Sequence, residues 1–196
     1  MGAGAVAKEA GTNSKERILE AATLIAQAHG YGGLNLRDLA DQVGIKAASL
    51  YHHFANKAEL GAAVARRYWE DTAIGLDALL DEAGSPAEAV RRYPEMFRKA
   101  LVTGNRICLC SFMAAESEDL PEPVLVEVRT FADVNVAWLE RMLKAAKLTK
   151  PADNAARARA IFAAIAGAQL IARSRGDVAV YDTLVEGYRA AGLLPK

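Results

Sequence analysis

The sequence predicts an all-α protein of about nine helices, with a three-helix head on a larger helical body. Three observations carry this. Apolar residues recur at three- and four-residue spacing through most of the chain. Recognisable start signals precede several of these runs, with glycines after them. No segment alternates with the period of two that a half-buried strand requires.

The 196 residues are 52% hydrophobic, enough for a sizeable core and too many for a disordered chain. Lysines and arginines balance aspartates and glutamates at 24 each, so a generally basic surface is excluded. Cys108 and Cys110 are too few and too close for a secreted disulfide framework. Residues 1–12 are Gly/Ala-rich without the apolar core of a signal peptide, and no run approaches membrane-spanning length. Val6 stands where a myristoylation signal wants Ser or Thr. A reduced, cytoplasmic protein is the expectation.

Residues 1–12 read as a disordered tail. Asn13 to Glu16 offers a cap followed by a carboxylate, opening a helix with Ile18, Ala22, Ile25 and His29 on one face. Gly30, Gly32 and Gly33 end it. Asn35 caps the next helix, whose apolar side is Leu36, Leu39, Ala40 and Val43. Gly44, able to take positive φ, makes a tight turn. A short helix over about Ala47 to His53 follows, with Leu50 and Phe54 turned inward. Asn56 and Glu59 start a long helix through Leu60, Val64 and Tyr68, and the head ends inside it, near residue 58.

The body then spans 59–196. Ser85-Pro86-Ala87-Glu88 is a capping box with Pro at the first helical position. Pro94 should kink or interrupt that helix. A short apolar helix covers about Ile107 to Glu116. A long one begins near Asp119 to Pro123, with Val124, Val128, Phe131, Val134, Trp138 and Met142 as its inner stripe. Ala155 to Arg173 is Ala-rich, and a last helix carries Val180, Leu184, Val185 and Tyr188.

The stretch Leu34 to Phe54 has the parts of a helix-turn-helix: a packed first helix, a tight turn, and a second helix apolar inside and small or polar outside. Ala47, Ala48 and Ser49 are small enough to let it enter a DNA major groove. Tyr51 and His52 can reach phosphates or base edges. Lys46 and Lys57 flank them with positive charge. Asp41 and Glu59 bracket a span free of carboxylates, as a surface meeting phosphates requires. Lys57 also begins a helix whose free N–H groups suit a phosphate. An ordinary helical corner is the alternative. Adjacent His52 and His53 diverge around the helix and are poor chelators, so no metal is expected.

Residues 14–60 resemble, without a gap, the N-terminal DNA-binding domain of the TetR family of bacterial transcriptional regulators. The GI-x-x-x-S-LYHHF-x-NK-x-EL segment carries the likeness. The resemblance implies a homodimer that binds a palindromic operator in double-stranded DNA, usually as a repressor, and is released by a small-molecule effector held in the body. It assigns recognition to about Ala47 to His53, DNA contact to Tyr51 and His52, and phosphate contact to Lys57. Asn35 and Lys46 depart from the hydroxyl residues common there but remain candidate phosphate contacts, with Arg37 beside Asn35 a further one, and Lys46 forfeits the usual helix cap.

For the body, Trp69, Tyr93, Met96, Phe97, Phe112, Met113, Phe131, Trp138, Met142 and Phe162 are candidate walls of an effector cavity, or plain core. Few polar groups accompany them, Arg106, Asn135 and Gln169 being the main candidates, which favours a mostly apolar ligand. Cys108, in ICLCSFMAAESEDLPEP, also resembles a position in members that respond to electrophiles or unsaturated acids. It is either a sensor thiol or a buried small hydrophobe. Ile161, Ile165, Ala168, Leu184, Val185 and Tyr188 are candidates for the dimer interface, with a periodicity that fits an internal core equally well. No catalytic constellation, cofactor motif or metal spacing is present, so no enzyme and no cofactor are expected.

Overall fold

The computed structural model describes the backbone of residues 3–196 and the side chains from residue 14 onward. Among the described residues, the protein is all helical. The ten helices are α1 (Ala3–His29), α2 (Leu36–Val43), α3 (Ala47–His53), α4 (Lys57–Ala83), α5 (Pro86–Arg92), α6 (Pro94–Val102), α7 (Leu109–Ala114), α8 (Glu122–Ala145), α9 (Asn154–Arg175) and α10 (Val178–Ala190). The count exceeds nine because Pro94 divides the helix begun at Ser85. Its ring cannot follow the turn before it, so α5 stops at Arg92 and Pro94 becomes the first residue of α6.

The amino-terminal end differs from expectation. The α1 backbone is helical from Ala3, with no break at Asn13. Residues 3–12 contain four Ala and no Pro, so nothing in them forbids a helix from running back. Met1 and Gly2 lie outside the described residues.

In the head, Ile18, Leu19, Ala22 and Ala26 of α1 are buried, as are Leu36, Leu39, Ala40 and Val43 of α2, then Leu50 and Phe54. In the body, α8 packs between α4 and α9, and α9 also meets α6 and α10. The body core is aromatic: Tyr93 stacks on Trp138, and Phe162 bridges Phe97 and Phe131. Buried Tyr93 and Asn135 are paired, as burial demands, whereas the Trp138 indole N–H is buried without an acceptor. The Tyr93 hydroxyl donates to Asn135 Oδ1 at 2.8 Å, and Asn135 Nδ2 donates to the Phe131 carbonyl at 2.9 Å. Asn135 is fully buried, and Val134, expected on the inner stripe, is half-buried beside it.

Two expectations about α9 and α10 change. Ile161, Ile165, Ala168 and Val185 are buried inside the single chain. They pack within one protomer and have no surface to offer a second; only Leu184 and Tyr188 of the six remain part-exposed. Periodicity identified an apolar face but not its partner. The other side of α9 carries Ala160, Leu170 and Ile171, the last two 57% and 44% exposed. Pro151–Arg175 is also long and apolar enough, by length and composition, to cross a membrane, which the sequence reading had not allowed. Its buried face is engaged by α8 and α10.

Candidate functional site

Three caps set the geometry of the head. Asn35 Oδ1 accepts from the N–H groups of Arg37 (2.9 Å) and Asp38 (3.4 Å), starting α2. Gly44, at φ 73°, ends it: the Gly44 N–H reaches the Asp41 carbonyl and the Ile45 N–H reaches Ala40, the paired bonds of a glycine-terminated helix. Lys46 then enters α3 in extended conformation with no side-chain cap, as its identity implied. Asn56 Oδ1 accepts from the Glu59 N–H, and the Glu59 carboxylate reaches back to the Ala55 N–H at 2.9 Å. That return bond occupies the first acid after α3.

Leu50 is the buried residue of α3, so the rest of this short helix stands out from the head. Ala47, Ala48, Ser49, Tyr51 and His52 are all exposed, as are Asn35, Arg37 and Lys46. Tyr51 is 46% exposed, high for a large aromatic side chain in a monomer's surface. His53 is half-buried. Burial first, then the charges of His52 and Lys15, push its imidazole pKa below the ordinary value.

Lys57 is less free than a bare phosphate ligand would be. Its Nζ donates to the Gly32 carbonyl at 3.1 Å and sits 4.6 Å above the Tyr31 ring, leaving further donors on the ammonium. Two other cations were missed in the sequence. Lys15 lies over the Phe54 ring, and Arg17 donates to the Val43 carbonyl at the end of α2. Both are on α1, distant in sequence from the turn, and only packing brings them there.

The body holds a cavity of about 40 Å³ lined by Tyr68, Thr72, Met96, Phe97, Ala100, Cys108, Phe131 and Gln169. Met96, Phe97, Cys108, Phe131 and Gln169 were expected there. The other expected wall residues are elsewhere. Trp69 is half-buried and donates to Glu127 Oε2 at 2.8 Å. Tyr93, Met113, Trp138 and Met142 are buried core. Phe112 lies under the Arg173 guanidinium, and Phe162 fills the layer against Phe97 and Phe131. Size and apolarity mark an inward side chain but not whether it meets a neighbour or a gap. Thr72 and Ala100 carry no such mark at all.

The lining carries no formal charge. Gln169 is its buried polar fixture: Oε1 accepts from the Cys108 N–H at 2.8 Å and Nε2 donates to the Phe97 carbonyl at 2.7 Å. Cys108 and Cys110 are both buried, and burial is the main cause that pushes both thiols up in pKa. A reactive thiol needs the opposite shift and some exposure. The electrophile-sensing alternative therefore gains nothing from the geometry.

Comparison with known proteins adds the following. A family profile described as "Bacterial regulatory proteins, tetR family" matches residues 18–64. The HTH-type transcriptional repressor AcnR of Corynebacterium glutamicum is 40% identical over 55 residues, 28% of this chain and 29% of that one. The HTH-type transcriptional repressor KstR2 of Mycolicibacterium smegmatis is 28% identical over 116 residues, 59% of this chain and 57% of the other. The chain thus spans under two thirds of either repressor. Structural similarity extends much further. A TetR-family regulator from Agrobacterium tumefaciens superposes with a TM-score of 0.84 at 27% identity, covering 92% of this chain and 98% of that one. A TetR regulator from Legionella pneumophila gives 0.84 at 24% identity, covering 90% and 96%, a likeness of fold.

Proposed function

Because the chain belongs to the TetR family of bacterial regulatory proteins, we propose that it is a cytoplasmic, ligand-responsive transcriptional regulator that represses by binding a palindromic operator as a homodimer. The observation that carries this is the exposed face of α3. Its small residues, Tyr51 and His52 are exposed, and the first carboxylate after it, Glu59, is tied back to Ala55. Tyr51 and His52 read or grip the major groove. Asn35, Arg37, Lys46 and Lys57 hold phosphates on either side. Local placement replaces net charge, which is zero.

The second copy docks on the outer faces of α9 and α10. Exposed Ala160, Leu170 and Ile171 with part-exposed Leu184 and Tyr188 supply a surface that small residues make flat. The effector occupies the body cavity and is small, uncharged and mostly apolar. An ion there would lose its hydration without gaining a charged partner.

Selection of duplexes from a random pool by the full-length protein, followed by anisotropy titration at several salt concentrations, tests the reading. We expect a two-fold symmetric sequence. Tyr51→Ala should lose affinity for it, and Lys57→Ala should weaken binding to all duplexes while lowering the salt slope by about 1. Recovery of no preferred sequence would overturn the assignment.

A further inference from the structure

Three polar ties join the body to the end of α1 and the loop that follows it. Arg173 of α9 donates to the carbonyls of Gln27 (3.4 Å) and Ala28 (2.7 Å). These are last-turn carbonyls without a helical partner, and the guanidinium charge suits the negative end of α1. Glu116, just beyond α7, accepts from the N–H groups of Tyr31 (2.6 Å) and Gly32 (3.2 Å). Its seat exists because residue 30 lacks a Cβ: one placed there would lie 2.3 Å from the carboxylate oxygen. Tyr68 of α4 interacts through its hydroxyl with the Gln27 side chain and the Cys108 thiol. The tied segment, residues 27–32, leads directly through buried Leu34 into α2 and so into the helix-turn-helix.

Each tie springs from an element that also walls the cavity. Tyr68 is itself a wall residue. Cys108, another, caps the start of α7, whose far end leads to Glu116. Gln169, a third, sits one turn before Arg173 on α9. The cavity holds roughly two waters at its present size. A ligand of ordinary effector size enters only by spreading those walls, because packed interiors shift between arrangements rather than stretch.

We propose that Glu116 and Arg173 are positioning residues that fix the angle of the DNA-binding head on the body, and that they are the points where a spreading cavity releases it. Effector binding moves α7 and α9, the carboxylate and guanidinium leave the 27–32 segment, and the two heads lose the spacing that a symmetric site demands. This rests on the regulatory reading above.

The test uses the full-length protein and three duplexes: the one it selects, that sequence with one base pair inserted at its centre, and a random sequence. The variants are Arg173→Met, which removes the charge and keeps an unbranched side chain, Arg173→Lys, and Glu116→Gln. Wild type should discriminate sharply against the lengthened site. Arg173→Met and Glu116→Gln should lower affinity for the selected duplex by about tenfold and narrow the gap to the lengthened one. Random-sequence binding should stay unchanged, and Arg173→Lys should recover most of the loss. A residue that merely stabilised the fold would not alter the spacing preference. Wild-type discrimination retained in both Arg173→Met and Glu116→Gln would overturn the proposal. If wild type itself prefers no duplex, the regulatory reading fails instead, at the first step.

Discussion

Replacing Gln169 with Leu should be costly well beyond its size. The side chain is buried at 1% exposure and satisfies two backbone groups at once. Leu fills nearly the same volume, so the loss is polar rather than steric. The Cys108 N–H precedes α7 and has no helical acceptor, so it is left buried and unpaired, at about 1–3 kcal/mol. The Phe97 carbonyl lies inside α6 and keeps its helix bond, so the loss there is about 1 kcal/mol. The sum is about 2–4 kcal/mol, or roughly 5–15 °C in Tm for a chain of this length. Urea unfolding of wild type and variant at one protomer concentration measures it, with the slope checked for equality. A loss below about 1 kcal/mol with an unchanged slope would mean that Gln169 does not hold α7 to α6, and the wall argument would fall with it.

Two glycines of similar φ should respond differently to Ala. Gly44, at φ 73°, has open space where a Cβ would go, so Gly44→Ala should cost about 1–2 kcal/mol of backbone strain. Gly30, at φ 68°, would in addition drive the Glu116 carboxylate from its seat, so Gly30→Ala should cost clearly more in thermal unfolding; equal costs would refute the packing described. The Glu127 carboxyl is held below its ordinary pKa by hydrogen bonding to Arg66 and, secondarily, to Trp69. A depressed folded-state pKa means stability that is full above the ordinary carboxylate range and is lost as pH falls through the lower, folded value. Glu127→Gln should therefore flatten stability against pH on the acid side and leave the slope near neutrality unchanged. Finally, native Cys108 and Cys110 should react with iodoacetamide only as fast as the chain opens, and rapidly in urea; fast labelling of the native protein would restore a sensing role for a thiol.

The head was almost wholly legible. Asn35, Gly44, Asn56 and the inward pair Leu50 and Phe54 act through neighbours within a few residues, so their chemistry is written locally. The exposed residues of α3 follow from the same short periodicity once Leu50 is known to face in. The split at Pro94 was equally plain, since a proline's missing N–H and fixed φ act on the turn that precedes it.

The body was legible as helices but not as surfaces. An apolar stripe on α9 says that one face is hidden. It does not say whether a residue is covered within the same chain, as Ile161 and Ile165 are, or left exposed, as Leu170 and Ile171 are. The cavity depends on what eight side chains fail to fill, which is a difference between volumes and appears in no single residue. The ties from Glu116 and Arg173 to the end of α1 span 84 to 146 positions of sequence. Spacing along the chain determined the helices, their caps and the exposed face of α3, because those interactions are local. Which apolar faces met each other, where they left a gap, and which charges reached the head were decided by tertiary packing alone, because they depend on groups that only the folded chain brings together.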